Sequence, residues 1–310
     1  MYVVVRCGYT TKWKGASFME LETVYLTYKQ LLFSVAYRML GSVSDAEDML
    51  QDMFITLQKT DTGHVTNLKS YLVKMVTNRC LNYLKSASKQ RETYIGTWLP
   101  EPQVTSSRED PIGSLIQDET ISYAFLVLLQ ELSAVERAIF VLREVLGYDY
   151  EEVSDMLQKT EANCRKIYSR AKSKINEISD EEDERSLGET EPLVKEFLHA
   201  VGTGNFHDFV QLLMEDAVMV SDGGGKASAA VHPIFGKERI AAFFEGVQTK
   251  GALEGDWLTV TFNGQSGLIL VKDESPLMII LFELAAGRQH SNHLYVIRNP
   301  DKLNQIYADL

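Results

Sequence analysis

The stretch over residues 132–178 narrows what this chain can become more than any other, because it spells two short helices and a turn ahead of a basic third helix. Ser133 with Glu136 is a capping-box pattern, which predicts a helix running to about Leu146 and ended by Gly147. Residues 150–157 predict a short second helix. Beyond Gln158 and Lys159, Thr160 can cap a third helix over 161–178, whose apolar side repeats at Cys164, Ile167, Tyr168, Ala171, Ile175 and Ile178. Its other face carries Arg165, Lys166, Ser169, Arg170 and Lys172. From Lys159 to Lys174 there are six Lys/Arg and one acid, Glu161. Alone, such a helix is more often a solvated surface than a binding face. Behind a short helix and a turn it matches a helix-turn-helix, in which the start of the last helix reaches base edges and its flanks hold phosphates. Here that start is Glu161, Ala162, Asn163, Arg165 and Lys166. Glu accepts from cytosine, Asn pairs with adenine and Arg forks onto guanine.

A net charge of −12 would argue against nucleic acid if it were evenly spread. It is not. Residues 1–97 carry +4, whereas 179–191 carry −6 and 192–310 carry −5. The acid is concentrated in a linker and a C-terminal domain, leaving the first segment and the helix after Thr160 basic. Three widely spaced cysteines (Cys7, Cys80, Cys164) fit neither a disulfide frame nor a zinc site and suit a reducing cytoplasm. No apolar run reaches the roughly 20 residues of a membrane helix, and the opening apolar residues are too few for a signal peptide. No membrane partner, metal or cofactor is expected.

A length of 310 residues suits two or three domains. Residues 20–95 predict helices alone: one over 22–40 stopped by Gly41, one opened by a Ser44/Glu47 capping box, and one over 68–86. The second of these shows Asp45, Asp48, Gln51 and Asp52 opposite its apolar side. The third carries Lys74, Asn78, Asn82, Lys85 and Lys89 along one stripe. Residues 96–118, with Pro100, Pro102 and Pro111, read as a linker, although Trp98 and Leu99 are too apolar to be idle there. Residues 119–178 form the helix-turn-helix unit, and 179–191 a second, acidic linker. Over 192–310 the texture changes to helices at 193–203 and 236–248, then strands at 257–262, 266–271, 277–285 and 293–298. Two helices followed by consecutive antiparallel strands indicate an α+β domain.

These residues resemble a known family. Residues 20–178 are similar to an extracytoplasmic-function (ECF) sigma factor of bacterial RNA polymerase, reduced to regions 2 and 4. The match is carried by Asp45-Ala46-Glu47-Asp48-Met49-Leu50-Gln51-Asp52-Met53-Phe54, by Ser70-Tyr71-Leu72, by Asn78-Arg79-Cys80-Leu81-Asn82-Tyr83-Leu84, and by the helix-turn-helix. Trp98-Leu99-Pro100-Glu101-Pro102, Glu161-Ala162-Asn163-Cys164-Arg165, Asp222-Gly223-Gly224-Gly225-Lys226 and Asn299-Pro300-Asp301-Lys302-Leu303 resemble the signatures of a SigJ-like group with a SnoaL-like C-terminal extension. The resemblance implies a multidomain fold: an all-α bundle and helix-turn-helix, then an α+β SnoaL-like cone. It also implies that Asp45, Asp48, Gln51, Asp52 and Phe54 dock on the clamp helices of the polymerase largest subunit. The Lys74 to Lys89 stripe would track the promoter −10 element, and residues 60–67 would hold a flipped base with Tyr71 or Tyr83 available for stacking. Glu161, Asn163, Arg165, Lys166, Ser169, Arg170 and Lys172 would read the −35 element. Residues 1–19 have no counterpart in the family pattern and receive no role.

The SnoaL-like cone elsewhere houses enzymes, so an enzyme acting on a small apolar ligand is a second function class, with Asp222, His290 and His293 as its acid or base candidates. A phosphate loop at 222–226 fails for want of a hydroxyl after Lys226 and of an earlier glycine in register. The three glycines instead predict a turn pressed closely against another surface. The reading adopted is regulatory rather than enzymatic. Trp98, Leu99 and Pro100, the turn Asp222, Gly223, Gly224, Gly225 and Lys226, and the tail Asn299, Pro300 and Asp301 would lie at contacts between the extension and the sigma regions, with a small-molecule ligand of the cone left open. A ligand-sensing helix-turn-helix regulator working without polymerase is the alternative. It has no use for the Asp45 to Phe54 face.

Overall fold

The structure, a computed structural model, describes residues 21–63, 65–91, 94–105, 121–178, 190–284 and 291–308. Residues 1–19, most of the acidic linker, residues 106–118, His290 and the side chain of Lys89 lie outside this description. Helices run in the order α1 (Leu21–Leu40), α2 (Val43–Lys59), α3 (Leu68–Arg91), α4 (Tyr123–Gln130), α5 (Ala134–Phe140), α6 (Tyr150–Leu157) and α7 (Glu161–Ile178). They are followed by α8 (Glu191–Thr203), α9 (His207–Gln211), β1 (Leu213–Asp222), β2 (Ile234–Phe235), α10 (Lys237–Gln248), β3 (Asp256–Phe262), β4 (Gln265–Lys272), β5 (Ser275–Leu284), β6 (Ser291–Ile297) and α11 (Pro300–Ala308). The chain divides into two compact units, Met1–Ser86 with Leu132–Lys172, and Ala87–Glu131 with Ser173–Leu310.

The first unit is helical. Gly41, at φ +69°, turns the chain directly out of α1, so the cap of α2 falls on the next residue. Ser42 Oγ accepts the Asp45 amide at 3.1 Å. The expected Ser44/Glu47 box therefore does not form; Ser44 lies inside the first turn, its Oγ 3.1 Å from that of Ser42. Ala46, Leu50, Met53 and Leu57 bury one side of α2. The Ser133/Glu136 box does form, but the helix it opens widens at residues 141–145 into a π-helical turn closed by Leu146 N–H to Val141 O at 3.1 Å. Arg137 of α5 is buried and donates to Met39 O at 2.5 Å and Leu132 O at 3.2 Å. The first of these carbonyls belongs to the last turn of α1, which has no intrahelical donor and attracts a cation.

The second unit is built on a six-stranded sheet ordered β2-β1-β6-β5-β4-β3. The four predicted strands are its β3 to β6 meander, all antiparallel, while β1 pairs parallel to β6. Neither β1 nor β2 was expected. Glu215 and Asp216 interrupt the alternation of β1 and sit where its register shifts, between Leu213 and Val218, so no period-two signal survives. Successive β5 residues point to opposite sides: Ile280 and Phe282 enter a core with α8, α9 and α10, whereas Ile279 and Leu281 enter another with Leu99, Tyr123, Leu303 and Ile306. Both faces are covered, which explains why the strands read as nearly continuous apolar runs. Among the described residues, no helix is long and apolar enough to cross a membrane.

Candidate functional site

The exposed face of α7 is set by caps and by one buried stripe. Asp149 Oδ1 accepts the Glu152 amide at 2.8 Å while Glu152 Oε2 accepts the Asp149 amide at 3.1 Å, fixing the start of α6. Gln158 takes a left-handed conformation at φ +51°, which for a residue with a Cβ costs roughly 1 kcal/mol and here makes the turn into α7. Thr160 Oγ1 then accepts the Asn163 amide at 3.3 Å. Cys164, Ile167, Ala171 and Ile175 are buried. Glu161, Asn163, Arg165, Lys166, Ser169, Arg170 and Lys172 are exposed. Arg165 pairs with Glu161 at 2.5 Å. Lys172 Nζ approaches Glu144 Oε1 at 3.4 Å, and the Tyr168 hydroxyl donates to Glu144 Oε2. That hydroxyl first, and then Lys172, hold the Glu144 carboxyl below the usual carboxylate range. Exposed pairs of this kind are worth little, so the surface remains available to phosphate.

On α2, Asp48, Gln51 and Asp52 are exposed and Asp45 is half-buried. Phe54 departs from this face. It is 7 % exposed and meets Tyr25 edge-on at 5.0 Å, because it falls beside Leu50 and Met53 at the border of the apolar stripe. The stripe on α3 is likewise divided. Asn82 and Lys85 are exposed, whereas Lys74 and Asn78 are half-buried, and Asn78 Nδ2 donates to Met156 O of α6 at 3.1 Å. An open cavity of about 300 Å³ beside them is lined by residues 65–67, Ser70, Tyr71 and Lys74 on one side and by Glu152, Asp155 and Met156 on the other. Tyr71 thus borders the cavity; Tyr83 is half-buried elsewhere on α3.

The three remaining signatures meet at one carboxylate. Asp222, at the end of β1, is fully buried. Its Oδ1 accepts the Tyr94 hydroxyl at 2.6 Å and the Gly224 amide at 2.9 Å; its Oδ2 accepts the Leu99 amide at 3.0 Å and Lys302 Nζ at 2.7 Å. Lys302 also donates to Leu99 O and lies 4.3 Å from the centre of the Trp98 ring. Asn299 Nδ2 donates to the Tyr94 oxygen at 2.9 Å. Burial and then the Asp222 hydrogen bond push the Tyr94 phenol well above its ordinary range, so it stays a donor. A buried ion pair is tolerable only when its remaining lone pairs and protons are satisfied, and these four donors do that for Asp222.

The segment on either side of Leu99 is fastened along the sheet. Pro100 O accepts the Tyr123 hydroxyl at 2.8 Å. The Gln103 N–H donates to Asn263 Oδ1 and its carbonyl accepts the Asn263 amide, each at 2.9 Å, and Thr105 N–H donates to Thr261 O at 2.8 Å. Gly224, at φ +62°, leaves a Cβ no room: one would stand 2.5 Å from the Asn299 side chain, and a Cβ on Gly225 would stand 3.1 Å from Ile95. Lys226 and Asp301 form an exposed pair at 2.5 Å, and Pro300 opens α11. Tyr94 and Lys302 were not among the predicted site residues. Lys302 stood inside a recognised motif, while Tyr94 carried no signal. His293 lies away from this cluster, with Nδ1 3.0 Å from Glu283 Oε2 and its ring stacked on Tyr295.

Comparison with known proteins bears on these surfaces. The family profile described as Sigma-70 region 2 matches residues 24–90, and that described as Sigma-70, region 4 matches residues 122–175. The chain is 33% identical over 246 residues to "ECF RNA polymerase sigma factor SigJ" of Mycobacterium tuberculosis, covering 77% of each chain. It is 28% identical over 200 residues to "Probable ECF RNA polymerase sigma factor SigI" of the same organism, covering 62% of this chain and 67% of that one. The crystal structure of the M. tuberculosis SigJ protein superposes with a TM-score of 0.71 at 27% identity, covering 91% of this chain and 98% of the other.

Proposed function

The chain belongs to the ECF sigma factors of RNA polymerase, and from that premise we propose that its C-terminal sheet domain governs promoter use by holding the segment that joins regions 2 and 4. As a sigma factor it directs core polymerase to promoters. In this reading Asp45, Asp48, Gln51 and Asp52 dock on the clamp helices of the largest subunit, with Phe54 supporting α2 from beneath. Lys74, Asn78, Asn82, Lys85 and Lys89 follow the melted −10 strand, and the exposed face of α7 reads the −35 duplex. In this reading the protein acts in the cytoplasm, where the polymerase works.

The observation that carries the regulatory part is the burial of Asp222 beneath Tyr94, Leu99 and Lys302. Promoter spacing depends on the freedom of the joining segment, and that segment is tied to the extension by a charged, dehydrated contact. The same geometry weighs against catalysis. Asp222 has no exposure and already accepts four donors, so it is not a base awaiting a substrate. On the other side of the sheet Phe197 packs against Phe206, Phe209, Phe244, Trp257 and Phe282 at 5.0–6.2 Å in a buried apolar core without a titratable side chain among these contacts. The enzyme and ligand-sensor readings are therefore not adopted.

Trp98→Ala and Gly224→Ala test the proposal. Each should change the yield of promoter-specific transcription by reconstituted holoenzyme while leaving the fold intact by circular dichroism. Unchanged yield in both would refute control through this contact.

A further inference from the structure

In the helix-turn-helix, both arginines nearest the start of α6 converge on one ring. The guanidinium carbon of Arg143 lies 4.3 Å from the centre of Tyr150, and that of Arg165 lies 4.6 Å from it. We infer that Tyr150 is a positioning residue for promoter recognition, its ring holding the Arg165 guanidinium in place for a base edge. The inference rests on the reading of α7 as the −35 helix.

Arg165 projects from the second turn of α7 and is 58% exposed. A long side chain there would ordinarily sample many rotamers, and a fork onto guanine needs one orientation. Two contacts restrict it: the Glu161 carboxylate at 2.5 Å and the Tyr150 face. An ion pair alone is weak at this exposure. The ring adds a planar surface on which a guanidinium stacks, a contact that lysine does not reproduce.

Tyr150 is itself fixed. It is the first residue of α6, behind the Asp149/Glu152 box, and its ring meets Tyr168 edge-on at 6.2 Å. Tyr168 in turn stacks on Phe140 at 6.2 Å and donates to Glu144. Arg143 is tied by its own bond to Tyr148 O. Rings from α5, α6 and α7 thus form a ladder that ends at Arg165. Its position is set by packing between helices and not by α7 alone.

The test uses holoenzyme reconstituted from core polymerase and the full chain, selecting from a promoter library randomised in the upstream element. Arg165→Ala should abolish preference at one base pair. Tyr150→Leu should weaken preference at that same base pair by roughly two- to fivefold, the scale of one exposed cation–ring contact, and Tyr150→Phe should restore it. Combined with Arg165→Ala, Tyr150→Leu should add nothing. If Arg165→Ala changes no base preference, the base-reading role of Arg165 fails and the inference falls with it. If Arg165→Ala acts but Tyr150→Leu does not, or if Tyr150→Leu reduces every position alike, the positioning role alone is overturned.

Discussion

Asp222 and Lys302 form a buried ion pair at 2.7 Å in the second unit. Asp222→Asn keeps the shape but removes the charge, leaving the Lys302 ammonium buried among Leu99, Trp98 and Tyr94. Breaking one side of a buried pair typically costs about 3–5 kcal/mol, so urea unfolding of Asp222→Asn should show a loss of that size. A change below about 0.5 kcal/mol, the range of ordinary surface substitutions, would contradict the contact. Much of this residue-scale detail could be read from the sequence. Gly224 and Leu99 were singled out because a glycine triplet and apolar residues in a proline-rich segment imply a partner surface, whereas Asp222 and Asn299 came from the resemblance to the family's signatures. The partner of the charge was harder to read. A lysine is normally a surface residue, and only its pairing, which no spacing reveals, makes Lys302 a buried one. Phe54 was placed on the acidic face by resemblance, yet it follows Leu50 by four residues, so its ring borders the apolar stripe and is buried.

At the scale of elements, α6 covers part of the face that the function assigns to the −10 strand. Asn78 is bonded to its Met156 carbonyl, and Glu152 and Asp155 stand across a cavity from Lys74. On the proposed reading of α3, single-stranded DNA would meet two acids where it needs a cation, and α6 would have to leave α3 for the strand to bind there. Glu152→Lys with Asp155→Lys should therefore strengthen binding of a −10 single-strand oligonucleotide by the free chain about tenfold, in fluorescence anisotropy at low salt, where exposed charges act most strongly. Unchanged or weaker binding would contradict the covering. The elements themselves were largely legible, since α1, α3 and α7 follow apolar periodicity, α6 is short and bounded by turn residues, and β3 to β6 stand as apolar runs between turns. Caps and irregular strands were less so. Ser42 outranks Ser44 because Gly41 fixes where α1 ends, and β1 hides behind the two acids at its register shift. The Asp149/Glu152 box has the same spacing as Ser133/Glu136, and its signal was present but unused.

For the molecule as a whole, the sequence separates sigma regions from extension, whereas the contacts divide the chain elsewhere. Residues 94–105 and α4 belong with the sheet: Leu99, Tyr123 and Ala124 share its core with Ile279, Tyr295 and Leu303. Local pattern could not reveal this, because the joining segment has no periodicity of its own and acquires order only from strands far along the chain. In the proposed function the extension controls this sigma factor through that segment. The most direct measurement is promoter-specific transcription by bacterial core polymerase, comparing the full chain with one ending at Ile178, which keeps both sigma regions and removes the sheet that holds residues 94–105 and α4. Both chains should initiate from the same start site, with a several-fold difference in yield between them. Equal yields would contradict control by the extension, and initiation by neither, with core polymerase left unbound, would contradict the sigma assignment itself.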